Sequence, residues 1–143
     1  MLRETPAAPD LAISPDKVCY IIARAREFDA KVEPVDTASA SNPADDTNID
    51  VLEDNADDPT LQELSGAIAG LNEDETVDLI AISWIGRGDF EAYELEEARQ
   101  LADERHRRNS ARYLTGMPLL GDYLEEGLSA LGFGCEDSEM AHL

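Results

Sequence analysis

Apolar residues recur at spacings of three and four along several stretches of the chain, and no run alternates in the manner of a strand pair joined by a tight turn. The first stretch opens at Ser14-Pro15-Asp16. Ser is a good N-cap, Pro suits the first helical position, and Asp complements the positive end of the helix dipole. Val18, Ile21, Ile22, Ala25, Phe28 and Val32 then form one stripe, with Lys17, Arg24 and Lys31 largely off it. The pattern fades at Glu33-Pro34, which predicts a helix over 14–33. Asp58-Pro59 repeats the cap-plus-proline signature and starts a second helix with Leu61, Leu64, Ile68 and Leu71 on one face. Asn72 with Glu75 three residues on makes a capping box for a third. The second half of that helix, Leu79 to Ile85, is apolar nearly all round and belongs at the centre of a bundle.

Asp89 is the expected cap of a fourth helix running to about Asn109, with Leu95, Ala98, Leu101 and Ala102 inward and Arg105 or His106 completing the stripe. A short helical turn near Tyr113-Leu114 ends at Gly116, and Pro118 is expected to start a last helix with Leu120, Leu124, Leu128 and Leu131 inward. The fold class is therefore all-α, a compact bundle of about five helices. Residues 1–13 read as a loose tail, 34–58 as an acidic mobile linker, 59–133 as the helical domain and 134–143 as a second tail. The linker is rich in Ser, Thr, Asn, Asp, Pro and Ala, with Ile49, Val51 and Leu52 its only possible anchor. Ordering such a stretch costs about 1–2 kcal/mol per residue in backbone entropy, with little apolar burial to offset it.

Composition narrows the class. The 143 residues include 43% hydrophobic ones, enough for one ordinary core. They carry 32 acids against 11 bases, a net charge of −21. Nucleic-acid binding and basic membrane anchoring are excluded, because both need clustered Lys and Arg. No apolar run is long enough to span a bilayer. The charge is uneven: between Lys31 and Arg87 there are 14 acids and no base, whereas Arg87 to Arg112 holds seven acids and six arginines. With no secretory signal visible, Cys19 and Cys135 are expected to be free thiols in a reducing cytoplasm.

Candidate chemistry is sparse. Asp46, Asn48, Asp50, Asp54 and Asp57 mimic the ligand spacing of a calcium loop, but Val51 stands where the sharp turn needs glycine. With only His106 and His142, a multi-histidine metal site is not available, and no metal or cofactor is expected. Arg87-Gly88-Asp89 reads as a helix stop followed by a cap. The basic concentration Arg105-His106-Arg107-Arg108…Arg112 sits at a helix C-terminus, where cations are favoured, and can also pair with the chain's own acids.

The strings Trp84-Ile-Gly-Arg-Gly-Asp-Phe90 and Pro118-Leu-Leu-Gly-Asp-Tyr-Leu-Glu-Glu-Gly-Leu128, with Leu71-Asn-Glu-Asp-Glu75 and Glu104-Arg-His106, resemble an uncharacterised family of small acidic proteins, described mainly from proteobacteria. The resemblance covers Glu63 to Gly132. It implies a compact helical domain, bacterial and cytoplasmic, with no catalytic residues to carry over.

Two functions remain in view. One is a protein-interaction or regulatory module without catalysis, in which the amphipathic helix over 14–33 covers its own bundle, a twin chain in a homodimer, or another protein. The other is a protein that binds a small anion or metabolite, conceivably an enzyme, with Arg87, Arg105, His106, Arg112 and Tyr113 around one cleft.

Overall fold

The computed structural model describes residues 9–31, 58–106 and 108–135. The expected linker over 34–57, with its calcium-like spacing, lies outside the described residues, as do Arg107 and His142. Among the described residues there are six α-helices and one 3-10 turn, and the architecture is an all-α bundle. The helices are α1 (Pro15–Lys31), α2 (Pro59–Ala69), α3 (Glu73–Arg87), α4 (Leu95–His106), α5 (Ser110–Thr115) and α6 (Leu120–Ala130), with the 3-10 turn Ala92–Glu94 leading into α4.

α3 is the central element. Every residue from Leu79 to Ile85 is buried, and the helix packs against both α4 and α6. The all-round apolar run dictates this position, because no face of it tolerates water. The contact with α6 is made backbone to backbone. A Cβ on Gly127 would collide with the Ile82 carbonyl oxygen, and one on Gly86 with that of Tyr123. The capping box at Asn72 and Glu75 is formed in both directions, at 2.8 and 2.9 Å. Gly88, in the left-handed region at φ 95°, ends the helix.

α1 packs on α6 and α2 through Val18, Cys19, Ile21, Ile22, Ala25 and Phe28. Its amphipathic stripe is therefore covered by its own chain. Lys31 at its end meets Asp58 at 2.9 Å, and Asp58 in turn caps α2 by accepting from the Thr60 amide at 2.7 Å. The two ends of segment 32–57 are thus clamped together.

Several local expectations change. The N-terminal tail is shorter than predicted: Ile13 is fully buried, and Asp78 accepts from the Ala12 amide at 2.6 Å. Arg99 completes the clamp, donating to Asp78 at 2.7 Å and to the Asp10 carbonyl at 2.7 Å. Asp89 does not cap α4, because its carboxylate is taken by Arg87 and its amide closes on the Trp84 carbonyl. Helix four begins at Leu95, after the 3-10 turn. The last helix starts at Leu120 and not at Pro118. Leu119 sits at φ 62° with no side-chain cap on the helix, and its backbone amide lies against the Asp29 carboxyl of α1.

The largest correction concerns the cysteines. Cys19 and Cys135 are joined in a disulfide, with Cα atoms 5.6 Å apart, and neither is a free thiol. Cys19 lies on the buried face of α1. The turn at Gly132 (φ 98°) follows α6, whose packed neighbour is α1, and Cys135 is three residues beyond it. Across 116 positions of sequence this proximity has no local signature, since only helix packing creates it.

Candidate functional site

The five residues expected around one cleft do not converge: three gather at one place, Arg112 lines another, and Arg105 belongs to neither. Arg87, His106 and Tyr113 come together around Trp84, at the end of α3. Trp84 Nε1–H donates to the Tyr113 hydroxyl oxygen at 2.8 Å, and the His106 ring stacks on Tyr113 with centroids 3.8 Å apart. Phe90 stacks on the other ring system of the group, Trp84, at 5.8 Å, and His106 meets Trp84 edge-on at 5.9 Å. Burial lowers the His106 pKa, against a hydrogen bond with Asn109, so the imidazole is neutral at physiological pH. The Arg87 guanidinium faces the Tyr113 hydroxyl but is engaged by Asp89 at 2.6 Å. This aromatic pile holds the turn after α3 and the ends of α4 and α5 against the central helix. Trp84 and Tyr113 bond each other, and His106 Nδ1 meets the Asn109 side chain.

Arg112 belongs elsewhere. It lines an open hollow of about 510 Å³ with Ile68, Ala69, Leu71, Glu73, Thr76, Arg108, Asn109, Ser110 and Ala111. The end of α2 and the start of α3 form one wall, and the start of α5 the other. The floor has an apolar strip from Ile68, Leu71 and Ala111. Arg108 and Arg112 stand over it, both exposed. Arg105 is also exposed and does not line the hollow.

Charge pairing separates these arginines from the rest. Lys17 pairs with Glu75, Arg24 with Glu27, Arg26 with Asp122 and Glu125, and Lys31 with Asp58. Arg87 pairs with Asp89 and Arg99 with Asp78. Among the described residues, Arg105, Arg108 and Arg112 are the lysines and arginines in no such pair. Two of the three, Arg108 and Arg112, share the hollow. Both are exposed to solvent.

A second hollow of about 490 Å³ has the opposite character. It is lined by Asp10, Asp74, Asp78, Glu96 and Asp103, and Arg99, its one base, is already bonded to Asp78. Among the described residues no group of three or more His, Cys, Asp or Glu side chains could hold a metal. No described helix is long and apolar enough to cross a membrane.

Arg108 lines the hollow with Arg112, although it is not among the five residues expected around one cleft. Ile68, Leu71 and Thr76 carried no signal, because periodicity marks them only as helix or cap positions. The converse holds for Arg87, His106 and Tyr113: their types suggested a cleft, but their neighbours Trp84, Phe90 and Asp89 absorb them.

The family model described as Protein of unknown function (DUF3775) matches residues 61–133, just over half of the chain, and the chain belongs to that family. The match runs from α2 past the end of α6, so α1 and Cys135 lie outside it. No curated protein and no solved structure matches the chain.

Proposed function

We propose, for a chain whose family carries no assigned activity, that it is a protein-interaction module without catalysis, and that its recognition surface is the hollow under Arg108 and Arg112. The observation that carries this is charge pairing: every other described lysine or arginine except Arg105 is committed to an internal ion pair, and these two are presented over an apolar floor. They fit a partner bearing an anionic group beside apolar side chains. Arginine recognises oxyanions in bidentate fashion and is worth most where its charge is not already neutralised. The amphipathic α1 is not the hook for that partner, since its stripe is buried against α6 and α2.

The same surface serves the second reading, binding of a small anion, but with a looser fit. Tight small-molecule sites bury about 70–90% of the ligand. Here Ala69, Glu73, Arg108, Asn109 and Arg112 are all exposed, so the hollow is shallow. The disulfide bears on location: a cystine persists where the surroundings are oxidising, and thiol trapping in the native cell distinguishes that from a cytoplasmic pool.

The test of the site is titration of the isotope-labelled full chain with sulfate, followed by NMR. Saturable shifts confined to the amides of Ile68, Leu71, Thr76, Ser110 and Ala111, and abolished by Arg108→Gln with Arg112→Gln, are expected. Shifts that are absent, or spread evenly over the surface, would refute the site.

A further inference from the structure

The anionic group can be specified further, on the reading that the hollow is the recognition surface. We infer that Arg108 and Arg112 recognise a phosphomonoester on a side chain of a partner protein, carried on a segment that is otherwise neutral or apolar.

The argument starts from the charge around the hollow. The chain carries −21 overall. An extended acidic segment would set one carboxylate between the arginines and lay its others along this negative surface. Its additional charges would be repelled, and screening removes that repulsion only beyond roughly 8–10 Å. A phosphomonoester concentrates nearly two charges and three acceptor oxygens at one point. Two guanidiniums lining one hollow match that charge and carry enough donors for all three oxygens. A single carboxylate satisfies only one such fork.

The neighbouring groups fit the same occupant. Ser110 and Asn109, between the two arginines in sequence, also line the hollow and carry further donors. The strip of Ile68, Leu71 and Ala111 accommodates the carbon chain on which the phosphate is carried and an apolar residue beside it. The shallow, open form suits a side chain presented by a larger body better than a free metabolite, whose remaining surface would stay in water.

The experiment uses the full chain and three probes followed by NMR titration. These are a short phosphoserine peptide with leucine and alanine flanks, the same peptide with glutamate in place of phosphoserine, and phenyl phosphate. The phosphopeptide should bind about tenfold or more tightly than the glutamate peptide, with shifts at the amides lining the hollow. Arg108→Gln and Arg112→Gln should each weaken it by about tenfold or more, while Arg105→Gln, outside the hollow, leaves it unchanged. Affinity should rise between about pH 5 and pH 7 as the phosphate loses its second proton. The ionisable side chains lining the hollow are Arg108, Arg112 and Glu73, with no histidine among them. Equal binding of the glutamate peptide would overturn the phosphate assignment and leave the anion site standing. Phenyl phosphate binding as tightly as the phosphopeptide would overturn the protein source. If sulfate also leaves the hollow unshifted, the recognition surface itself is wrong.

Discussion

Removing the disulfide tests the packing of α1 most directly. The bond ties Cys19, buried on α1, to Cys135, which is half-buried beyond α6. Cys135→Ala is the suitable perturbation because it leaves the core side of the link intact as a thiol. Loop-closure entropy for a crosslink across 116 positions predicts about 5 kcal/mol of lost stability, and native disulfides typically deliver roughly 2–4 kcal/mol of such a value. The upper part of that range applies here if the unfolded chain is otherwise unconstrained. In urea, with a slope of about 1–3 kcal/mol/M, the midpoint should fall by roughly 1–2 M. Fluorescence of Trp84, the single tryptophan, buried in α3, reports the transition. Wild-type protein in excess dithiothreitol should move to the variant's midpoint, and the variant should ignore the reductant. If oxidised wild type and Cys135→Ala unfold at the same midpoint, then α1 and the segment after α6 are not crosslinked in solution, and the account of how α1 is held is wrong.

Two further outcomes follow from the same interface and from the clamp beside it. Burial, with the charge of Asp122 adding to it, pushes the Asp29 carboxyl up from 3.8 to about 6, against the Leu119 amide and Arg26, with Glu125 on the same arginine. The folded state then binds more protons than the unfolded one between about pH 4 and pH 6, so stability falls as pH rises through that window and is flat above it. Asp29 is half-exposed, and solvent screening reduces the effect to about 1 kcal/mol; Asp29→Asn should abolish the slope and stabilise at neutral pH, which urea midpoints at several pH values will show. Because Lys31 and Asp58 hold the ends of segment 32–57 together, replacing that segment with about four Gly and Ser residues should preserve the fold and stabilise it by roughly 1–2 kcal/mol of loop entropy. A large loss of stability on calorimetry would mean that the segment supplies core contacts.

Much of the bundle is legible in the sequence. Short-range rules suffice for Pro15 and Pro59 at helix starts, for the reciprocal cap of Asn72 and Glu75, and for Gly88 as a stop, because each is satisfied within a few residues of chain. The burial of Leu79–Ile85 was legible for a related reason: an all-round apolar helix has only one stable location. Helix entries failed where the deciding partner was distant. Asp89 looked like a cap but is taken by Arg87, and the last helix starts after Leu119, whose amide lies against Asp29 of another helix, and not at Pro118.

The site shows the same division more sharply. Sequence alone determined that the chain is helical and acidic, and that its positive charge gathers between Arg105 and Arg112. It could not say which of those cations stay unpaired, because ion pairs such as Arg99 with Asp78 and Arg26 with Asp122 join residues 21 and 96 positions apart. Nor could it join Cys19 to Cys135. Tertiary structure decided both, for one physical reason: charge neutralisation and crosslinking act over a few ångströms in space, whatever the distance along the chain.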